Sequence, residues 1–203
     1  SLFDKCIQIY HNLRKISPKI QTNVAITVSH ENFDKVVDLY SHLKNIHNID
    51  AITAILVREE GVYKPPTEKI LKILQAYKNL TDLIKLDLDN SRKNGYQNSI
   101  QSRIMNQKNK IIYDKVYQTA KNNEFLSNCH AGSLFGVISP SGDVFPCEIL
   151  DVKYGNLRDY NYDLKEMWES KFKKNFCKKI KDEKCFCTYE CAWTFNILGN
   201  KKY

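Results

Sequence analysis

The sequence predicts an α/β fold in two parts: parallel strands joined by crossover helices over residues 1–125, then a small α+β domain, a β-hairpin plus helix, over 126–203. Three observations carry that prediction. Two strand–helix patterns follow one another directly between Gln21 and Leu80. The composition changes near Glu124 to Asn128, and beyond it a turn signal sits between two short apolar runs. Finally, 203 residues that are 42% hydrophobic and 27% charged, with only 7 Gly and 5 Pro, can build a core and exclude a disordered, collagen-like or low-complexity chain.

The chain opens on Ser1 in mid-pattern, with Leu2, Phe3, Ile7 and Ile9, so it is expected to be a piece of a longer protein, and the lack of a targeting segment carries little weight. Gln21 to Ser29 is rich in β-branched residues and reads as a strand; Glu31 to Lys44 follows as a helix, with Phe33, Val36, Val37, Tyr40 and Leu43 at helical spacing. Ala51 to Val57 is a continuous apolar run suited to a strand buried on both faces. Thr67 to Leu80 reads as the next helix, capped by Thr67 after Pro65 and Pro66. Two parallel strands do not stand alone, so further strands are expected upstream. Ligands of such sheets sit at the carboxyl ends of the strands, here at Thr27, Ser29, His30 and Asn32 and at Arg58 and Glu59, which serve equally as plain loop residues.

After a poorly patterned stretch from Asp89 to Asn98, Ile100, Ile104, Ile112, Val116 and Ala120 form the apolar stripe of a helix. Much of the net charge of +8 lies here, with seven basic residues against the single acid Asp114 between Ser91 and Lys121. We read it as a solvated helix face; it lacks the interleaved aromatics of a stacking platform, so nucleic acid is not an expected partner. No apolar run approaches the roughly 18 residues of a membrane span.

In the second domain Leu134 to Ile138, the turn Ser139-Pro140-Ser141-Gly142 and Val144 to Pro146 make the hairpin, and Asp163 to Phe172 reads as one helix with Leu164, Met167, Trp168 and Phe172 on one side. Cys6 stands alone, whereas Cys129, Cys147, Cys177, Cys185, Cys187 and Cys191 crowd the C-terminal end. An odd count in a chain with its own core argues for metal binding in a reducing cytoplasm rather than disulfides. Folding about the turn sets Cys147 opposite Leu134, close after Cys129. Cys187 and Cys191, four apart, meet on one face if helical, and Cys185 and Cys187, two apart, share a side if extended. Five thiols thus converge on a site that needs four, and spacing alone leaves an iron–sulfur cluster and zinc both open. His130 is either a donor to a ligand or a loop residue.

The run CHAGSLFGVISPSGDVFPCEILDVKYGNLRDYNYDLKEMWES, followed by CFCTYEC, resembles the auxiliary-cluster module of radical S-adenosylmethionine enzymes, the SPASM/Twitch group, from Cys129 to about Trp193. The residues that carry the likeness are Cys129, Gly142, Cys147, Gly155, Asn156, Leu157 and Trp168. The resemblance implies an auxiliary 4Fe–4S cluster. A single one, of the Twitch kind, is expected because C-x-C-x3-C replaces a longer cysteine group. The implied ligands are Cys129, Cys147, Cys187 and Cys191, with Cys185 competing with Cys187 and Cys177 left free. Trp168, Phe186 and Tyr189 are candidates for the apolar shell.

The strand–helix units then resemble the C-terminal units of that family's partial (β/α) barrel, with Thr27, Ser29, Asn32 and Arg58 as candidate contacts to the cofactor. In the whole enzyme the resemblance implies S-adenosylmethionine and a second 4Fe–4S cluster upstream, which generate a radical that abstracts hydrogen from a substrate peptide or small molecule. An external electron donor is then a partner, and the auxiliary cluster serves electron transfer or substrate binding. The C-x3-C-x2-C that would hold the catalytic cluster is absent from the 203 residues, so this piece alone is not expected to cleave S-adenosylmethionine. The rival reading is a non-catalytic, zinc-stabilised binding module.

Overall fold

A computed structural model describes residues 1–17, 20, 22–58, 66–90 and 100–200 of the chain. It divides into two compact units, Ser1–Tyr117 and Gln118–Tyr203. Mixed helix and strand run through both.

In the first unit, helix α1 (Leu2–Ile16) buries Ile7 and Tyr10. The Tyr10 hydroxyl accepts the Asp50 N–H at 3.1 Å, and Arg14 pairs with Asp50 at 2.7 Å. Strands β1 (Val24–Val28) and β2 (Ile52–Leu56) are parallel, in register from Val24 opposite Ile52 to Val28 opposite Leu56. Helix α2 (Val36–Asn45) makes the crossover that parallel pairing requires. Every second residue of β2 is buried, as are Ala51 and Val57 beside it, and the residues between are half-covered. Helix α3 (Ile70–Asp89) lays Ile73, Leu74, Tyr77, Leu80 and Ile84 into the same core.

Three expectations need correction here. Helix α2 starts at Val36 rather than Glu31, because the chain first turns: Asn32 Oδ1 accepts the Ser29 N–H at 2.9 Å, Asn32 Nδ2 donates to the Thr27 carbonyl at 2.8 Å, and the Phe33 N–H reaches the Ser29 carbonyl. Such side-chain bonds offer the backbone an alternative to the helix. Thr67 makes no side-chain cap; it opens a short 3-10 turn, Thr67–Lys69, behind Pro66, and α3 then runs on to Asp89, whose neighbour Asp87 is buried and accepts the Tyr40 hydroxyl at 2.6 Å. In helix α4 (Ile100–Asn122), Ile112, Tyr113 and Val116 are buried but Ile100 and Ile104 are exposed. A strict period of four drifts about 40° per step around a 3.6-residue helix, so the two ends of that stripe cannot share one face. The buried seam passes instead through Ser102 and Lys108. The Tyr77 and Tyr113 rings meet edge to face at 6.4 Å, and ion pairs join Lys85 to Asp114 and Lys110 to Asp89. Residues 91–99, with Pro65 and Glu59, lie outside the described residues. Among the described residues no helix is long and apolar enough to cross a membrane.

The second unit holds three short antiparallel strands in the order β3 (Val137–Ile138), β4 (Asp143–Phe145) and β5 (Gly155–Asn156). Val137 faces Phe145 across the expected turn, in which Gly142 has φ +87° and a Cβ would lie 2.7 Å from Arg158 Nη1. Strand β5 locks that turn: Asn156 Nδ2 donates to the Ser141 carbonyl at 3.0 Å and to Asp143 Oδ1 at 2.9 Å. The single helix expected over Asp163 to Phe172 is two, α5 (Leu164–Trp168) and α6 (Lys171–Asp182). Ser170 breaks it by leaving helical geometry and capping α6, its hydroxyl accepting the Lys173 N–H at 3.2 Å. Helix α7 spans Glu190–Leu198. The core is small: Ala131, Val144, Cys147, Tyr154, Met167, Phe176 and Ile180.

Candidate metal centre

Two chain reversals bring cysteines to this core. In the first, the Gly132 N–H is shared between the carbonyls of Phe135 at 2.9 Å and Pro146 at 3.1 Å, which ties the loop after Cys129 to the residue before Cys147. Gly132 has φ +70°, and a Cβ there would collide with the Tyr154 hydroxyl, so only glycine permits this approach. The open end of the hairpin therefore gathers Cys129 and Cys147. Each sulfur accepts a backbone N–H: Cys129 from Ala131 at 3.5 Å, Cys147 from Leu150 at 3.3 Å.

In the second reversal, α6 ends in a Schellman turn. Lys184 is left-handed at φ 51°, its N–H reaches the Lys181 carbonyl at 3.2 Å, and the Cys185 N–H reaches the Ile180 carbonyl at 2.8 Å. That fold-back sets Cys185 beside Ile180 and the core it helps to form. The chain then stays non-helical to Tyr189. The Cys187 carbonyl accepts the Trp193 indole N–H at 2.9 Å, and its sulfur is hydrogen-bonded by the Tyr189 backbone.

The electrostatics tie these four thiols together. A hydrogen bond from Cys185 pulls Cys129 down to about 7 against the cost of its burial, helped by the Ala131 N–H and the Asn196 side chain. Cys185, holding the proton of that bond, is pushed well above the ordinary thiol value, and its burial and the nearby Cys129, Cys187 and Cys147 push the same way. Burial raises Cys187 to about 11, with the charges of Cys129 and Cys147 adding to it. As the side chains stand, no group of three or more His, Cys, Asp or Glu among the described residues is arranged to hold a metal ion; one pair, Cys129 and Cys185, is hydrogen-bonded, and Cys147 and Cys187 act on that pair through charge. The donor chemistry fits a thiolate-ligated centre, with four soft donors in one place and three sulfurs already accepting backbone N–H groups.

The remaining candidates fall elsewhere. Cys191 is exposed and hydrogen-bonded to Tyr189. Helix α7 begins only at Glu190, so Cys187 lies outside it and never shares a helical face with Cys191. Cys177 is half-buried and donates toward the Ala131 carbonyl at 3.9 Å, and Cys6 is exposed on α1. Trp168 lies over Gly136 and donates to the Ser133 carbonyl at 3.3 Å, Phe186 is 37% exposed, and Tyr189 bonds Glu148; the apolar packing around Cys147 comes from Tyr154, Phe176 and Ile180. The His130 N–H is held by Asn196 Oδ1 at 2.9 Å. Asn196 is the residue that sequence reasoning missed: it is buried, and it serves both His130 and Cys129. A lone amide in the apolar run Ala192 to Leu198 was its only signal.

In the first unit, Thr27 lies within β1 opposite Ile55, Ser29 and Asn32 are tied to each other in the turn beyond it, and Arg58 is exposed just after β2. All four occupy the carboxyl ends of the two strands.

The second unit thus brings soft sulfur donors, three of them accepting backbone N–H groups, together on a short hairpin sheet, a donor set of the cysteine-ligated kind. The model of the SPASM family, an iron–sulfur cluster-binding domain, matches residues 129–192, which include all four clustered cysteines. No curated protein matches the chain.

Proposed function

We propose that the chain is the C-terminal part of a radical S-adenosylmethionine enzyme and that Cys129, Cys147, Cys185 and Cys187 hold one auxiliary 4Fe–4S cluster. The observation that carries this reading is the Cys129–Cys185 hydrogen bond and its charge coupling to Cys147 and Cys187, inside the segment similar to an iron–sulfur domain. Residues 1–125 are then the last strand–helix units of a partial barrel, with Thr27, Ser29, Asn32 and Arg58 at the strand ends where S-adenosylmethionine would lie. Residues 126–203 are the auxiliary domain. The substrate is a peptide or small molecule, an external electron donor is a partner, and the setting is the cytoplasm.

A bound cluster supplies one-electron transfer or a substrate-binding iron. What this chain supplies is the environment. The Ala131, Leu150 and Tyr189 N–H groups stabilise negative charge on sulfur, Asn196 fixes Cys129, and Tyr154, Phe176 and Ile180 keep water from Cys147.

The test is anaerobic reconstitution of the 203-residue chain with iron and sulfide. Brown protein absorbing at about 400 nm with about four irons per chain is expected, with loss of iron in Cys185→Ser and retention in Cys191→Ser. Colourless protein that takes up one zinc instead would establish the folding-staple reading. Loss of iron in Cys191→Ser with retention in Cys185→Ser would overturn the ligand set.

A further inference from the structure

Helix α2 ends in a turn that brings two histidines face to face. The Ile46 N–H closes the last helical bond on the His42 carbonyl at 2.9 Å, Asn48 takes the left-handed conformation at φ 52°, and the Ile49 N–H returns to the Leu43 carbonyl at 3.1 Å. Leu43 and Ile49 are both buried, so the reversal is anchored on its inner side. On its outer side the backbone returns His47 to His42, and their Nε2 atoms stand 3.2 Å apart with the ring planes at 75°. Phe3 of α1 backs the pair, its ring centroid 6.2 Å from that of His42 and 5.7 Å from that of His47. The Asp4 carboxyl, next along α1, is held below the ordinary carboxylate value first by the Ser1 ammonium and hydroxyl, and the charge of His47 adds to the effect, so this carboxylate lies within electrostatic reach of the pair.

Stability does not account for this contact. Helix α2 packs through Val36, Tyr40 and Leu43, while His42 is exposed and His47 half-buried. One imidazole N–H donating to the other's nitrogen at a wetted surface replaces a bond that water makes as well, and contributes little. What the arrangement does offer is two nitrogen donors at a fixed separation. Two zinc–nitrogen bonds of about 2.1 Å meeting at about 100°, near the tetrahedral angle, span the observed 3.2 Å. Imidazole is a donor well suited to zinc, copper and nickel.

We propose that His42 and His47 are the protein ligands of a divalent transition-metal ion of the zinc, nickel or copper class, with water completing its shell and Asp4 as the neighbouring counter-charge. The ion clamps the turn between α2 and β2, because one ligand stands on each side of it. Both rings bind through a bare Nε2. For two neutral rings, the one that now donates from Nε2 moves its proton to Nδ1 through water, and no net proton is released. The site is independent of the iron–sulfur reading, since all its residues lie in the first unit.

The experiment titrates zinc chloride into the full 203-residue chain, reduced and metal-free, and follows the imidazole nitrogens by two-bond proton–nitrogen correlation spectra. Total zinc uptake is not the readout, because the C-terminal cysteines also take zinc; the spectra report the 5 histidines one by one. His42 and His47 are expected to shift together along one saturation curve, both ending as the Nδ1–H tautomer, while His11 and His30 stay still. His42→Gln is expected to weaken the zinc response of His47 at least tenfold, and His47→Gln that of His42, with the amide spectrum of β1 and β2 retained. Separate curves for the two rings, a His47 response unchanged in His42→Gln, or shifts that require millimolar zinc would each overturn the proposal. Should a variant fail to fold, the titration of the unaltered chain decides by itself. Iron loading does not enter the test, so failure of the iron–sulfur reading leaves this outcome untouched.

Discussion

The two units reach order by different means. In the first, β1 and β2 are five residues each, their register extends over all five pairs, and long helices lay runs of apolar side chains on them. In the second, β3 and β5 are two residues and β4 three, and the core is a handful of side chains. The second unit compensates with single polar and steric fasteners: Asn156 across the turn, Ser170 between two helices, Lys184 in a left-handed turn, and Gly132 and Gly136 where a ring or hydroxyl presses on the backbone. A fold held by periodic burial tolerates exchange within the apolar class, whereas a fold held by individual fasteners does not tolerate their loss.

That contrast can be broken first at Gly132. Gly132→Ala adds a methyl group that meets the Tyr154 hydroxyl and sets φ +70° on an L-residue; we expect a loss on the order of 4 kcal/mol in chemical denaturation of the second unit, from overpacking plus backbone strain. Adding Tyr154→Phe removes the colliding oxygen and should restore more than half of it, leaving the strain; no recovery would show that the close approach is not what matters. The counterpart is Leu80→Met in α3. Although Leu80 is fully buried, this volume-conserving swap should cost only about 1 kcal/mol. A larger loss there than at Gly132 would erase the distinction.

The smallest effect is electrostatic. Asp143 is held down to about 2, first by Lys153 and then by Asn156 and Ser141. Its pKa is lowered on folding, so its contribution is complete above the ordinary carboxylate value of 3.8 and is lost as pH falls toward 2. Acid titration of the metal-free chain should show this loss between those values, and Asp143→Asn should flatten it. An unchanged acid limb in the variant would remove Asp143 from the fasteners.

Legibility in the sequence follows the same division. The β1–α2–β2 crossover was readable because burial imposes a period on the residues, and the departures, the late start of α2 and the length of α3, arose where Asn32 and Asp87 form hydrogen bonds that no period reports. In the second unit the hairpin and its turn were readable from Ser139 to Gly142, because turn chemistry is local. The break between α5 and α6 was not, since Ser170 is an ordinary helix-surface residue until its hydroxyl is seen capping Lys173. Asn196 was hidden for the same reason: its partners lie far away in sequence, at Cys129 and His130.

The amino-acid order alone determined which elements alternate and that soft sulfur donors crowd the C-terminal end, because periodicity and composition are properties of the chain itself. Which sulfurs meet was decided only in three dimensions. The left-handed step at Lys184 returns Cys185 to the core, and the start of α7 at Glu190 leaves Cys191 in solvent. Both outcomes depend on the path of the backbone between the cysteines, which spacing along the chain does not encode.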